Sequence, residues 1–101
     1  MEPGQIYHVF NHANGWENLF QEPRNYHFFL EKMDRFLSPT IDIYAHCLMP
    51  NHFHLLLERN IDGGISQYLS NVQNSYTRYF NTRHERIGPL FLDQFKAVRV
   101  E

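Results

Sequence analysis

Cysteine is almost absent from this sequence: Cys47 stands alone, which excludes a disulfide bond within the chain. A single cysteine is typical of the reducing cytoplasm, and within the segment AHCLM we expect a small buried hydrophobic residue rather than a catalytic thiol. Long apolar runs are also absent. None approaches the roughly 20 residues of a membrane span, and the first residues lack the basic and then apolar pattern of a secretion signal. These absences predict a cytoplasmic protein without a membrane partner.

Positive charge is scarce as well. The 101 residues include 9 Lys and Arg against 11 Asp and Glu, a formal net charge of −2, which argues against a general binder of polyanions. The balance is uneven, because five of the basic residues but only three of the acidic ones follow Gly63. The C-terminal part is therefore where a phosphate backbone would be met, although a solvated helix face has the same composition.

Hydrophobic residues make up 43% of the chain, enough to fill the core of one compact domain, and their spacing predicts six elements. Helical spacing predicts helices over 23–37 and 65–84, the second preceded by a break at 62–64. Alternation predicts four strands, over 5–13, 40–50, 52–59 and within 88–100. With right-handed crossovers this order predicts an α+β fold, a ferredoxin-like βαββαβ sandwich. Its antiparallel sheet would carry both helices on one face and the first and third strands in its centre.

Two histidines, His52 and His54, alternate with apolar residues in the third predicted strand, HFHLLL. Alternation places both on the face opposite to Phe53, Leu55 and Leu57, which would face the helices. Side chains two residues apart on a strand have Cβ atoms roughly 6–7 Å apart, so both imidazoles can converge on one divalent ion. Such an ion keeps open positions for a phosphate oxygen. The pair is equally consistent with two partly exposed histidines that hydrogen-bond to their neighbours.

Two further histidines lie on strands that neighbour this pair. His8, on the first strand, is a candidate for the same face, as an additional metal ligand or as a group that supports one. His46, on the second strand, is a weaker candidate for that face, and alternation puts it on the side opposite to Ala45 and Cys47. The remaining three histidines are expected at the surface: His12, His27 and His84.

The chain lacks the residues that two other classes of site require. A closed structural zinc site needs a pair of thiols that a chain with one cysteine does not have. A cyclic phosphodiesterase would need two His-x-Ser/Thr motifs, and none of the seven histidines is followed by such a pattern.

Three segments together resemble the HUH single-tyrosine transposases: YHVFNHANGWENLF at 7–20, LMPNHFHLL at 48–56 and YTRYFNTRHERIGPLFLDQFKA at 76–97. The resemblance is closest to the group associated with repetitive extragenic palindromes (REP), which is related to the insertion-sequence-200-like enzymes. It implies a domain that binds single-stranded DNA folded into hairpins and cuts one strand through a phosphotyrosine intermediate. It also implies a divalent ion, Mg²⁺ or Mn²⁺, held by His52 and His54, and it allows a homodimer.

The sequence departs from this family in one respect. The relatives carry the nucleophilic tyrosine and a polar third ligand on a helix beyond the GPLF segment, and no such helix follows before Glu101. We therefore expect residues 1–101 to form a single catalytic domain that lacks the nucleophile-bearing helix. The tyrosines available as substitute nucleophiles are Tyr76 and Tyr79, although both also fit the apolar rhythm of the long helix.

Basic residues near the C-terminus are interleaved with aromatic ones, a combination that suits single-stranded DNA because cations meet phosphates and rings stack on unpaired bases. The predicted DNA-binding residues are Arg78, Arg83, Arg86, Lys96 and Arg99. An alternative function is a non-catalytic nucleic-acid-binding module on the same fold, in which His52 and His54 would be ordinary polar residues.

Overall fold

The computed structural model describes residues 4–15, 17–36, 41–59, 65–92 and 94–100. Within them the chain forms six elements, which are β1 (Ile6–His12), α1 (Pro23–Arg35), β2 (Ile41–Met49), β3 (His52–Arg59), α2 (Ile65–Arg83) and β4 (Lys96–Arg99). The strands pair antiparallel in the order β2-β3-β1-β4. The predicted α+β sandwich is confirmed, with β1 and β3 in the centre of the sheet.

The hydrophobic core lies between one face of the sheet and the two helices. Alternate residues of the central strands are buried there, including Val9, Leu55 and Leu57. Phe53 joins the layers, because its ring centroid lies 5.3 Å from that of Phe29 on α1. Apolar burial of this kind is the main source of stability in a domain of this size. Neither described helix is long and apolar enough to cross a membrane.

Helix α1 begins where the sequence predicts, at a proline whose missing N–H falls in the unsatisfied first turn. The buried side chain of Asn25 completes this end, since its Oδ1 accepts hydrogen bonds from the backbone N–H groups of Gln21 and Glu22, at 2.8 and 3.1 Å. The helix ends at Arg35. The predicted end at Leu37 and the predicted break at 62–64 lie outside the described residues.

The last strand lies within the predicted stretch, since β4 covers Lys96–Arg99 of 88–100. The GPLF segment (88–91) precedes β4, and the chain at its end forms backbone contacts with the end of β1. Phe91 bridges to Ala13, and the N–H of Leu92 donates to the carbonyl of His12 at 3.0 Å. These contacts bring the chain to the position from which β4 pairs with β1.

A β-bulge interrupts β2, where the pairing register with β3 shifts between Ile43 and Ala45. Residues directly opposite each other on paired strands face the same side. After the bulge Cys47 lies opposite His54, and His46 lies opposite Leu55. The alternation predicted for this strand is therefore wrong beyond Ile43, and His46 falls on the side of the buried residues. Cys47 is exposed, so its predicted burial is wrong too.

Candidate functional site

Four histidines gather where β1 and β3 run side by side, on the sheet face turned away from the helices, which we call the open face. In the register His12 lies opposite His52, and His54 lies opposite Phe10, two residues from His8. Ring centroids are 4.9 Å apart for His8 and His54, 5.0 Å for His52 and His54, and 5.3 Å for His12 and His52. These four residues are the histidine cluster. His12 is exposed, as predicted, but its place opposite His52 depends on a register that the sequence does not specify.

Each histidine of the HFH motif has its Nδ1 atom occupied by a neighbour. Nδ1 of His52 lies 2.7 Å from Oδ1 of Asn51, and because a carboxamide oxygen only accepts, the ring must donate from Nδ1. Nδ1 of His54 lies 2.7 Å from Nε2 of His8. Across the described part of the chain, neither His52 nor His54 has a hydrogen-bond partner at Nε2. Both rings therefore leave the same nitrogen available at the open face.

His54 is held in its neutral form. Partial burial lowers the pKa of its imidazole below the ordinary value of 6.5, and the neighbouring His8, His52 and His12 lower it further, because a second positive charge there is unfavourable. Neutral imidazole is the form that binds metal ions. At neutral pH His54 is therefore in the form that is able to bind a metal ion.

The spacing of His52 and His54 suits a shared divalent ion. A ring nitrogen binds such an ion at about 2.1 Å, and two rings with centroids 5.0 Å apart are close enough for both to reach one ion. Among the described residues, no group of three His, Cys, Asp or Glu side chains is arranged to hold a metal. Nε2 of His8 faces Nδ1 of His54, and of the two predicted roles this contact favours a group that supports a ligand over a further ligand.

Comparison with known proteins identifies the family. Residues 5–100 match the family model described as "Transposase IS200 like". The chain belongs to the IS200-like transposase family. No curated protein matches its sequence.

Two solved structures share the fold of this transposase domain. The structure of a REP-associated tyrosine transposase bound to a REP hairpin is similar with a TM-score of 0.80 and 12% identity, over 99% of this chain and 58% of that one. A protein of Deinococcus radiodurans R1 described as a transposase is similar with a TM-score of 0.71 and 14% identity, over 100% of this chain and 87% of that one. The transposase domain thus spans less than three fifths of the first of these proteins.

The tyrosines predicted as substitute nucleophiles of this transposase lie in the helix layer, and the sheet separates them from the histidine cluster. Tyr76 is fully buried, its hydroxyl donates to the carbonyl of Leu19, and burial raises its pKa far above the ordinary value. Tyr79 stacks on Phe28 with ring centroids 3.8 Å apart. Both tyrosines lie on the helix side of the sheet, and this position argues against either as the nucleophile for a phosphate bound by histidines on the open face.

Two of the predicted DNA-binding arginines have partners within the protein. Arg83 pairs with Glu22 at 2.8 Å, and this contact raises the pKa of the guanidinium and lowers that of the carboxyl. Arg86 lies 3.0 Å from the carboxylate of Glu17 and donates to the carbonyls of Gly88 and Pro89 at 3.0 and 2.6 Å. Both arginines therefore join loops to the end of α2, which reduces their availability for phosphate.

The other three predicted cations lie on different surfaces. Lys96 is opposite Phe10 in the register and so stands on the open face, whereas Arg99 is opposite Tyr7 and stands on the helix side. Arg78 lines a groove between α1 and α2 with Lys32 and Tyr79. Only Lys96 shares its surface with the histidine cluster.

Proposed function

We propose that this chain is the catalytic domain of an HUH transposase, which binds hairpin-forming single-stranded DNA and supports metal-dependent strand cleavage and transfer. The observation that carries the proposal is the pair of Nε2 atoms on His52 and His54, which have no hydrogen-bond partner among the described residues. They lie on the open face of a central strand, and the Nδ1 atom of each has a neighbouring side chain as its hydrogen-bond partner.

His52 and His54 would hold the divalent ion, Mg²⁺ or Mn²⁺, through these nitrogens. When bound, the ion offsets the negative charge that develops on the non-bridging oxygens of the scissile phosphate. The role of the chain is to orient: Asn51 sets the ring of His52, and the β1–β3 register sets the distance between the two ligands. Because the strand is central, these positions shift little when DNA binds.

The nucleophile in this proposal is a tyrosine outside residues 1–101, since the tyrosines of α2 lie beneath the sheet. Its phenolic oxygen would form a bond to phosphorus while the bond from phosphorus to one sugar oxygen breaks. The strand is then held as a phosphotyrosine, and attack by a sugar hydroxyl regenerates the phenol and joins the strands. The phosphodiester bond energy is conserved through both steps.

The DNA would approach along the open face. Lys96 stands there beside Phe10, whose ring centroid lies 4.9 Å from that of His8. A cation for phosphate next to an aromatic ring for an unpaired base is the combination that single-stranded DNA requires. The similarity to a transposase bound to a REP hairpin supports a hairpin as the folded part of the substrate.

The test combines metal and DNA binding. Calorimetry should detect one Mn²⁺ site per chain, and His52→Gln and His54→Gln should each weaken it at least about 100-fold, since loss of a group that merely supports a ligand already costs 10–100-fold. A hairpin oligonucleotide with a single-stranded flank should bind more tightly when Mn²⁺ is present. In the double variant this metal dependence should disappear.

The competing function gives the opposite result. A non-catalytic nucleic-acid-binding module would bind the same oligonucleotide with equal affinity with and without Mn²⁺, and the double variant would behave as the wild type. The full-length protein supplies the second test: with Mg²⁺ it should nick the flank and retain the strand covalently on a tyrosine. Failure to nick with metal bound would overturn the proposed strand transfer.

A further inference from the structure

The hydrogen bond between His8 and His54 differs in kind from the one that orients His52. Asn51 offers His52 an oxygen that only accepts, so the proton of His52 has one possible place. His8 offers His54 a ring nitrogen that either donates or accepts, at 2.7 Å. The proton of His52 is therefore confined to Nδ1, whereas the position of the proton on His54 depends on where His8 carries its own.

Two neutral arrangements satisfy this hydrogen bond. In the first, His54 donates from Nδ1 to Nε2 of His8, which leaves the lone pair of His54 at Nε2 and places the proton of His8 on Nδ1. In the second, His8 donates from Nε2 to Nδ1 of His54, and His54 carries its own proton on Nε2, where it blocks a metal. Conversion relocates one proton on each ring, and solvent carries both, so the charge of the pair is unchanged.

We propose that His8 is a positioning residue that accepts the Nδ1 proton of His54 and so turns the lone pair of His54 toward the ion. The inference rests on the proposed function, because it concerns the same ion site. It has a consequence of its own: loading the ion selects the first arrangement, so the tautomer of His8 changes although His8 binds no metal. His8 then reports whether the site is occupied.

The surroundings of His8 favour this role over that of a ligand. Its ring is nearly parallel to that of His54, with 17° between the planes, and stacks on Phe10 at a centroid distance of 4.9 Å. In the register its neighbours on both sides are aliphatic, Leu56 on β3 and Val98 on β4. Apolar neighbours strengthen a hydrogen bond, since less water competes for it. His8 is thus held against His54 rather than directed at the space between His52 and His54.

The first experiment follows the ring nitrogens of ¹⁵N-histidine-labelled protein by NMR during titration with Mg²⁺, which is diamagnetic. Addition of Mg²⁺ should shift Nε2 of His54 and move His8 to the form protonated at Nδ1, while the ring nitrogens of His46 stay unchanged. A purely structural role predicts no tautomer change. If His52 and His54 respond to Mg²⁺ and His8 does not, the inference is overturned while the proposed function stands.

The second experiment measures Mn²⁺ affinity in matched variants. His8→Phe keeps the stacked ring but removes the acceptor, and should weaken Mn²⁺ binding about 10–100-fold, the usual effect of losing a group that supports a ligand. His8→Gln supplies an oxygen acceptor and should recover most of that loss. The control is His46→Phe, on the helix side of β2, which should bind as the wild type.

The outcomes separate the two proposals. Wild-type affinity in His8→Phe overturns the role of His8 alone. Equal losses in His8→Phe and His8→Gln overturn it as well, because the acceptor would then not be what matters. Absence of Mn²⁺ binding in the wild type overturns the proposed function and this inference with it.

Discussion

The two faces of the sheet are made from the same strands, yet their side chains differ in exposure and in the groups they contact. Phe53 and Leu55 are at most 2% exposed and touch the helices, whereas His52 and His54, their immediate neighbours in sequence, are only partly buried and meet one another. The period of two in a strand is enough to place the core residues on one face and the histidine cluster on the other. In the proposed function, stability and chemistry are therefore carried by alternate residues, and mutations at adjacent positions should tell them apart.

The largest expected effect is on the helix side. Phe53→Ala should lower the free energy of unfolding by about 3–5 kcal/mol, because it leaves a cavity beneath Phe29. His54→Ala, one residue away, should change it by less than about 1 kcal/mol. Urea denaturation measures both. Similar losses for the two variants would mean that the faces are not separate.

A smaller loss is expected from Tyr76→Phe. Removing the hydroxyl leaves the carbonyl of Leu19 without its donor, which should cost about 1–3 kcal/mol of unfolding free energy. Binding of Mn²⁺ and of DNA should be unchanged, since the residue lies under the sheet. If Tyr76→Phe had wild-type stability but impaired binding of Mn²⁺ or DNA, Tyr76 would be part of the binding site.

The pH dependence of stability should reveal the histidine cluster. A histidine in the unfolded chain takes up a proton near pH 6.5, whereas His54 in the fold does so only at lower pH. Between these two values the unfolded state binds more protons, so stability is complete above pH 6.5 and falls as the pH drops through the lowered pKa. Urea midpoints measured from about pH 8 to 5 should fall more for the wild type than for His54→Gln. Parallel curves would contradict the lowered pKa.

The smallest effect concerns the cations. Lys96→Ala, on the open face, should weaken binding of single-stranded DNA and reduce the slope of log affinity against log salt by about 0.7, the value for one phosphate contact. Arg83→Ala should leave the slope unchanged, because Glu22 already neutralises Arg83. Fluorescence anisotropy at several salt concentrations makes the comparison. A reduced slope for Arg83→Ala and an unchanged slope for Lys96→Ala would mean that DNA binds on the helix side of the sheet.

Much of this arrangement follows from the sequence, because periodicity predicts six elements and the two faces of β3. Three features depend on information that periodicity lacks. The bulge in β2 adds one residue and exchanges the sides of His46 and Cys47, and a single insertion leaves no mark in an alternating pattern. The position of His12 opposite His52 depends on the pairing register. The acidic partners of Arg83 and Arg86 lie more than 60 residues earlier in the chain, so only the folded structure brings them together.

The GPLF segment makes structural contacts at the end of the sheet. Its backbone fastens the final strand to the first, and its carbonyls receive the guanidinium of Arg86. Gly88, at a φ of +92°, makes that turn possible without strain. Under the proposed function, a protein that kept this segment and lost both imidazoles of the HFH motif would retain the fold but lose the ion site. Assigning strand cleavage to such a homologue should therefore depend on the imidazoles and not on the contacts of the GPLF segment.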